Sequence, residues 1–208
     1  MTGLRGLKRQ RIHEAISAAA ISLFLERGFD EVSVAEIAAA AEVSKPTLFK
    51  YFATKEDLVL HRIADHQGEA ARVVRRRTPG EEPLAALHRH FLDGLARRDP
   101  VTGLNDDAEV IGYHRMVFST PGLAARLLHH MATDEEALAE ALGESMDDLT
   151  ARLLAGQVLA VQRVLARRNW LALAEGTSAE DAYPSAVGAA DRAFTLLRHG
   201  LTAADRSG

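Results

Sequence analysis

The chain has 208 residues, 25 of them Lys or Arg and 29 Asp or Glu, for a net charge of -4 with histidine neutral. That length is ample for a buried core without staples, and the absence of cysteine excludes thiol nucleophiles, disulfides and Cys-based zinc sites. No apolar run approaches the roughly 20 residues of a membrane span, and Glu14, Ser17 and Ser22 interrupt any apolar region behind the basic start. A cytoplasmic protein with no membrane partner is the expectation.

The charge is unevenly placed. Residues 1–13 carry Arg5, Lys8, Arg9 and Arg11 and no acid, whereas residues 1–60 hold 8 basic and 8 acidic side chains. A short basic arm ahead of a neutral small domain can contact phosphate locally.

Apolar residues recur at spacings of 3 and 4, and no stretch alternates with period 2, so the fold reads as all-α. The first helix spans about Lys8 to Arg27, with Ile12, Ile16, Ala19 and Leu23 on one stripe, Ala20 and Phe24 beside it, and Gly28 as its stop. Ser33-Val34-Ala35-Glu36 is a capping box that opens a short helix to about Ala41. After a tight turn at Glu42-Val43, Ser44 caps a second short helix ending near Tyr51. Pro46 sits in its first turn, where the missing N–H costs nothing. Thr54-Lys55-Glu56-Asp57 caps a long helix toward Arg77. Thr78-Pro79-Gly80 and Glu81-Glu82-Pro83 make a break. Beyond it the spacing predicts helices near 84–98, 106–118, 121–142, 147–174 and 179–201.

Residues 33–55, SVAEIAAAAEVSKPTLFKYFATK, are two short helices joined by a 3–4-residue turn. Ile37, Ala38 and Ala41 supply the inner face of the first, Val43 sits in the turn, and Leu48 and Phe52 supply the inner face of the second. That is the layout of a helix-turn-helix whose second helix enters a DNA major groove. Around it, the stretch RIHEAISAAAISLFLERGFDEVSVAEIAAAAEVSKPTLFKYFATKEDLV resembles the DNA-binding domain of the TetR (tetracycline-repressor) family, over residues 8–60.

The resemblance implies about nine helices: a helix-turn-helix domain at residues 1–60 and a bundle at 61–208 that dimerises and binds a small effector. Residues 44–51 would be the recognition helix. Its outward side chains, Lys45, Thr47, Lys50 and Tyr51, suit base edges or phosphates, and Pro46 lies among them. Tyr51 and Lys55 match family positions that touch phosphate. Ser33 and Ser44 are helix caps whose helix N-termini also face phosphate in this reading. Two departures stand out: Phe49 replaces a common Tyr, which removes a phenolic phosphate contact, and Pro46 replaces a common Gly.

In the back part, the helix at 147–174 and the last helix carry more apolar surface than one core contact needs. Leu154, Val158, Val161, Leu165, Phe194 and Leu197 are therefore the expected homodimer interface. The pocket candidates are Phe91, Tyr113, His114, Met116, Val117, Met131, Gln157 and Trp170, because Met and aromatics suit an adaptable cavity and a buried Gln157 would need a partner. Arg115 and Arg163 are possible anion partners. Residues 115–144 resemble a subgroup of the family associated with acyl-CoA-like ligands, which implies an acyl-chain effector.

No cofactor, metal site or catalytic residue is expected. His88 and His90 point to different sides of a helix, as do the adjacent His129 and His130, and no HExxH, GxSxG, GxxxxGK[ST] or GxGxxG occurs. The reading is a DNA-binding transcriptional regulator, a ligand-responsive repressor on a palindromic double-stranded operator. The alternatives on the same fold are a small-molecule binding protein or enzyme whose front hairpin is a relic, or an activator. Loss of the basic outward face would favour the first, and here that face is intact.

Overall fold

The computed structural model describes residues 4–199, apart from the side chains of residues 4, 5 and 64. Among them are ten α-helices and one 3-10 turn. They form two compact units. The front one runs to His66 and takes in Gly112–His129. The back one holds Gln67–Ile111 and the residues from His130 onward.

In the front unit, α1 (Leu4–Arg27) begins four residues before the expected start, so residues 4–11 are helix and not a separate arm. The Gly28 N–H donates to the Phe24 carbonyl at 2.8 Å, with Gly28 at φ +92, which ends the helix. The most buried face of α1 is Ile16, Ser17, Ala20, Ile21 and Phe24, whereas Ile12, Ala19 and Leu23 are half-buried. The stripe is thus rotated from the expected one, because 3.6-residue spacing leaves two neighbouring stripes equally apolar here.

The next two helices, α2 (Val34–Ala40) and α3 (Lys45–Phe49), are fixed by their caps. The Ser33 hydroxyl accepts from the Glu36 N–H, and the Ser33 N–H donates to the Glu36 carboxylate at 2.8 Å. Arg27 pairs with the same carboxylate at 2.8 Å. Glu42 takes φ +54 in the turn, and the Val43 N–H donates to the Ala38 carbonyl at 2.9 Å. The Ser44 hydroxyl accepts from the Thr47 N–H at 3.2 Å. Ile37, Ala38, Leu48 and Phe52 are buried as expected, and Ala41 and Val43 are half-buried. Full burial of a side chain such as Leu48 stabilises by about 1.5–3 kcal/mol.

The expected long helix from Thr54 to Arg77 is two helices, α4 (Asp57–Ala64) and α5 (Glu69–Arg76). Gly68 separates them at φ +69, and its N–H leaves the helical pattern to donate to Asp134 at 2.8 Å. Thr54 and Asp57 cap α4 reciprocally. The front-unit part of α7 (Ala108–Ser119), from Gly112 onward, places Tyr113, Met116 and Val117 in the same core as Phe24 and Leu48. Arg126 at the start of α8 (Pro121–Gly143) pairs with Asp57 at 2.8 Å.

The back unit is built on α6 (Pro83–Ala96), α9 (Asp148–Ala174) and α10 (Ala179–His199), with α10 packed on both others. Its core includes Leu87, Phe91, Leu95, Leu104, Leu138, Val158 and Phe194. After the 3-10 turn at Pro100–Thr102, Gly103 lies against α9 so closely that a Cβ there would fall on the Ala166 carbonyl. Asn169 anchors the same approach, donating to the Thr102 carbonyl at 2.9 Å.

Candidate DNA-reading face and the back-unit sites

The short helix α3 presents Lys45, Pro46, Phe49 and Lys50 to solvent. From Ser44 to Lys55 the sequence has three lysines and no acid. A rigid, capped helix therefore offers ammonium groups on one surface with no neighbouring carboxylate on the same segment to neutralise them. Such groups can donate to guanine O6 and N7 or to phosphate oxygens. Thr47 and Tyr51 are half-buried rather than fully outward. The Thr47 hydroxyl lies 2.8 Å from that of Ser44, so Ser44 and Thr47 serve each other first as a cap.

Lys55 is also engaged within the fold. Its Nζ sits 4.5 Å from the centre of the Phe29 ring and 5.6 Å from that of Phe24. Such a cation–π contact contributes about 0.5–1 kcal/mol at an exposed site. An ammonium resting on a ring face still has N–H donors to offer an anion. On the first helix, Lys8, Arg9 and Arg11 are exposed. The side chain of Arg5 lies outside the described residues.

Ser33 belongs to a tight electrostatic unit. Hydrogen bonds from the Ser33 side chain and then its backbone, followed by Arg27, hold the Glu36 carboxyl down to about 2. The carboxylate thus occupies the N-terminus of α2 itself.

Two features of this unit go beyond the roles expected from the sequence. One is Phe49, which is 50 % exposed on the same face as the lysines. Its signal was available, since it is i+4 from Lys45 and i+3 from Pro46. The other is a polar hollow of about 740 Å³ whose lining includes Arg9, Gln10, His13, Ser17, Tyr51, His61 and Arg62. There His61 Nδ1 donates to the Leu58 carbonyl at 3.1 Å and Nε2 lies 2.7 Å from the Ser17 hydroxyl. Since a carbonyl only accepts, Nδ1 carries the proton and Nε2 accepts from Ser17 in the neutral ring. Burial, then the charge of His13, pushes the His61 pKa down. His13 stacks on Phe52 at 4.5 Å and meets His61 edge-on at 5.3 Å. These partners lie far apart in the chain, so no local pattern reveals them.

The eight pocket candidates divide between the units. Tyr113, His114, Met116 and Val117 are in the front unit, and Phe91, Met131, Gln157 and Trp170 are in the back one. The Tyr113 hydroxyl donates to the Val59 carbonyl at 2.8 Å, and its ring, Met116 and Val117 are front-core groups. His114 is half-buried, and burial lowers its pKa. Phe91 packs in the back core near Phe194. Trp170 is buried under the Arg167 guanidinium, and Met131 is half-buried. Gln157 is exposed, so the argument that its amide needs a buried partner falls away.

The dimer candidates need a similar correction. Val158, Leu165 and Phe194 are buried inside the back unit's own core and offer no free surface. Leu154, Val161 and Leu197 are half-buried against that core. The exposed apolar side chains of α9 are Leu149, Leu153, Val164 and Leu171, with Leu196 on α10. By length and composition α9 is apolar enough to cross a membrane, yet it carries Arg152, Arg163, Arg167 and Arg168 and buries Asn169.

The histidines serve as local partners. His90 pairs with Glu69 at 3.1 Å, and His88 stacks on Phe194 at 4.6 Å. No cluster of three His, Asp or Glu side chains suited to a metal ion is found among the described residues.

Comparison with known proteins gives this arrangement a family. Residues 16–61 match the model of the bacterial regulatory proteins, tetR family. The HTH-type transcriptional regulator TcmR of Streptomyces glaucescens is 33% identical over 175 residues, which cover 81% of this chain and 77% of TcmR. Among solved structures, NalD of Pseudomonas aeruginosa, the secondary repressor of the MexAB-OprM multidrug efflux pump, superposes with a TM-score of 0.61 at 17% identity, covering 88% of this chain and 97% of NalD. FadR of Bacillus subtilis, solved in complex with stearoyl-CoA, superposes with a TM-score of 0.55 at 17% identity, covering 90% and 98%. With a third of its residues shared with TcmR over four-fifths of its length, the chain belongs to the TetR family of bacterial transcriptional regulators.

Proposed function

We propose that this regulator is a ligand-responsive repressor that binds a palindromic operator as a homodimer, with α3 of each protomer in a major groove. The observation that carries this reading is the exposed Lys45–Lys50 face on a capped helix whose segment, Ser44 to Lys55, holds no acid. Lys45 and Lys50 take base edges, while Thr47, Tyr51 and Lys55 hold backbone phosphates. Ser33, Ser44 and Pro46 keep the two short helices at their angle. The half-sites lie about 34–36 Å apart, one turn of DNA. The protein acts in the cytoplasm as a binding module, not an enzyme.

The exposed α9 stripe of Leu149, Leu153, Val164 and Leu171 is the proposed self-pairing surface, flanked by Leu154, Val161 and Leu197. Four such side chains at helical spacing are costly to leave in water and are covered when two copies pair. For the effector we infer an elongated, largely aliphatic molecule. Residues 115–144 resemble the acyl-CoA-type subgroup, and FadR, a structural neighbour, was solved with stearoyl-CoA. Arg115 and Arg163 are exposed guanidinium groups able to hold phosphates bidentately. Effector binding would shift the spacing of the two reading heads and lower operator affinity.

Sequencing the genomic DNA retained by the purified protein tests the reading. A palindrome bound with affinity that falls steeply as salt rises supports it. Retention of no specific sequence at any salt contradicts it. A thermal-shift panel of fatty acids, acyl-CoAs and flat aromatic compounds tests the effector class, since a ligand of the folded state raises Tm. Stabilisation by the aromatic compounds alone would overturn the aliphatic assignment.

A further inference from the structure

Phe49 stands out on the reading face because it cannot do what its neighbours do. It is 50 % exposed on α3, with no hydroxyl to offer a phosphate. Pro46, three residues before it, is also exposed and also purely apolar towards solvent. Helical spacing places Lys45 and Phe49 on one row and Pro46 and Lys50 on the next. The result is a small apolar patch between two ammonium groups. A B-DNA major groove offers hydrogen-bonding base edges, phosphates on its rims and one apolar group, the C5-methyl of thymine. The ammoniums suit the first two and the patch suits only the third.

We propose that Phe49, backed by Pro46, is a specificity-determining residue that packs on the C5-methyl of one thymine in each half-site. This rests on α3 being the reading helix. It assigns a base identity where the polar side chains of the same helix leave one open. Covering one methyl group corresponds to about fourfold in affinity, so two symmetric half-sites give roughly 15-fold if the contributions add.

The test begins with the operator selected by the full-length protein from a random-sequence duplex pool. Each thymine is then replaced by deoxyuridine, symmetrically in both half-sites, which removes only the methyl. Affinities are measured at fixed salt for the wild type, Phe49→Ala and Phe49→Leu. The wild type should lose about 15-fold at one symmetric thymine pair. Phe49→Ala should bind the thymine operator more weakly by a similar factor and lose nothing further there. Phe49→Leu, which keeps an apolar side chain, should keep most of the sensitivity. If no thymine pair matters, or if Phe49→Ala is as sensitive as the wild type, the proposal is wrong. Lys45→Ala and Lys50→Ala separate the two levels. If both bind the operator as the wild type does, α3 is not the reader and both readings fall. If they weaken binding while the uridine effect is independent of Phe49, only the thymine contact falls.

Discussion

The two units of this chain are specified in different ways. Around the helix-turn-helix of the front unit the groups that set the helix starts are close in sequence: Ser33 with Glu36, Ser44 with Thr47, Thr54 with Asp57. Each pair fixes a helix start within one turn, so the angle between α2 and α3 follows from short-range chemistry. In the back unit the decisive contacts are distant in sequence, such as Asn169 on the Thr102 carbonyl and Gly103 beneath Ala166. The tetR-family model matches residues 16–61, within the front unit.

The contrast can be attacked first at the cores. Leu48 is fully buried beneath the exposed face of α3, and Leu87 is fully buried in the back unit. Leu48→Ala and Leu87→Ala should each cost about 2–5 kcal/mol. In amide exchange, the first should raise rates in α1 to α4 and the second in α6, α9 and α10. Equal loss of protection throughout the chain for both variants would show that the units do not differ in this way.

A second test sets two neighbours on α9 against each other. Val164 is 63 % exposed, whereas Leu165 is 6 % exposed. Val164→Asp should abolish the dimer in light scattering, since a carboxylate in an apolar contact costs several kcal/mol, roughly 2–5, while leaving helicity intact. Leu165→Ala should instead lower Tm through about 2–5 kcal/mol of lost core packing. A Val164→Asp protein that stays dimeric would move the self-pairing surface elsewhere.

The front-unit caps give smaller effects. Ser44→Ala removes the hydroxyl that holds the first turn of α3 and should cost about 1 kcal/mol in unfolding. Ser33→Ala should cost a similar amount and return the Glu36 carboxyl from about 2 towards its ordinary 4.5, because Ser33 is the main cause of that shift. Acid dependence follows from the same groups. The Glu36 pKa is depressed in the folded state, so its contribution is full above 4.5 and is lost as the pH falls towards 2. The His61 pKa is also depressed, so the neutral ring's contribution is present above its ordinary 6.5 and declines as the pH falls below that value. Melting curves between pH 7.5 and 5 should therefore show the wild type losing stability relative to His61→Gln. Parallel pH profiles would remove His61 as the cause.

What was legible in the sequence follows the same division. The helix-turn-helix, its caps and its inner face at Ile37, Ala38 and Leu48 were readable, since each depends on residues three or four apart. The break at Gly68 was not, because it depends on Asp134, 66 residues away. The orientation of α9 was not readable either. Leu153, Leu154, Val158, Val161, Val164 and Leu165 cover most of its circumference, so periodicity does not say which stripe faces inward. Tertiary packing of α9 in the back unit's core buries Val158 and Leu165 and leaves Leu153 and Val164 outside. The exposure of Phe49 follows from its i+4 spacing from Lys45, which a comparison limited to its missing hydroxyl does not capture.

The most direct measurement is operator affinity across a salt series for Lys45→Ala, Lys50→Ala and Lys55→Ala. If the exposed face of α3 reads the bases, Lys45→Ala should weaken the operator by about 1–3 kcal/mol and narrow the gap between operator and unrelated DNA. Lys55→Ala should weaken both DNAs alike and reduce the salt slope by about one. Wild-type operator affinity and wild-type sequence preference in both the Lys45→Ala and Lys50→Ala proteins would contradict a DNA-reading role for this helix.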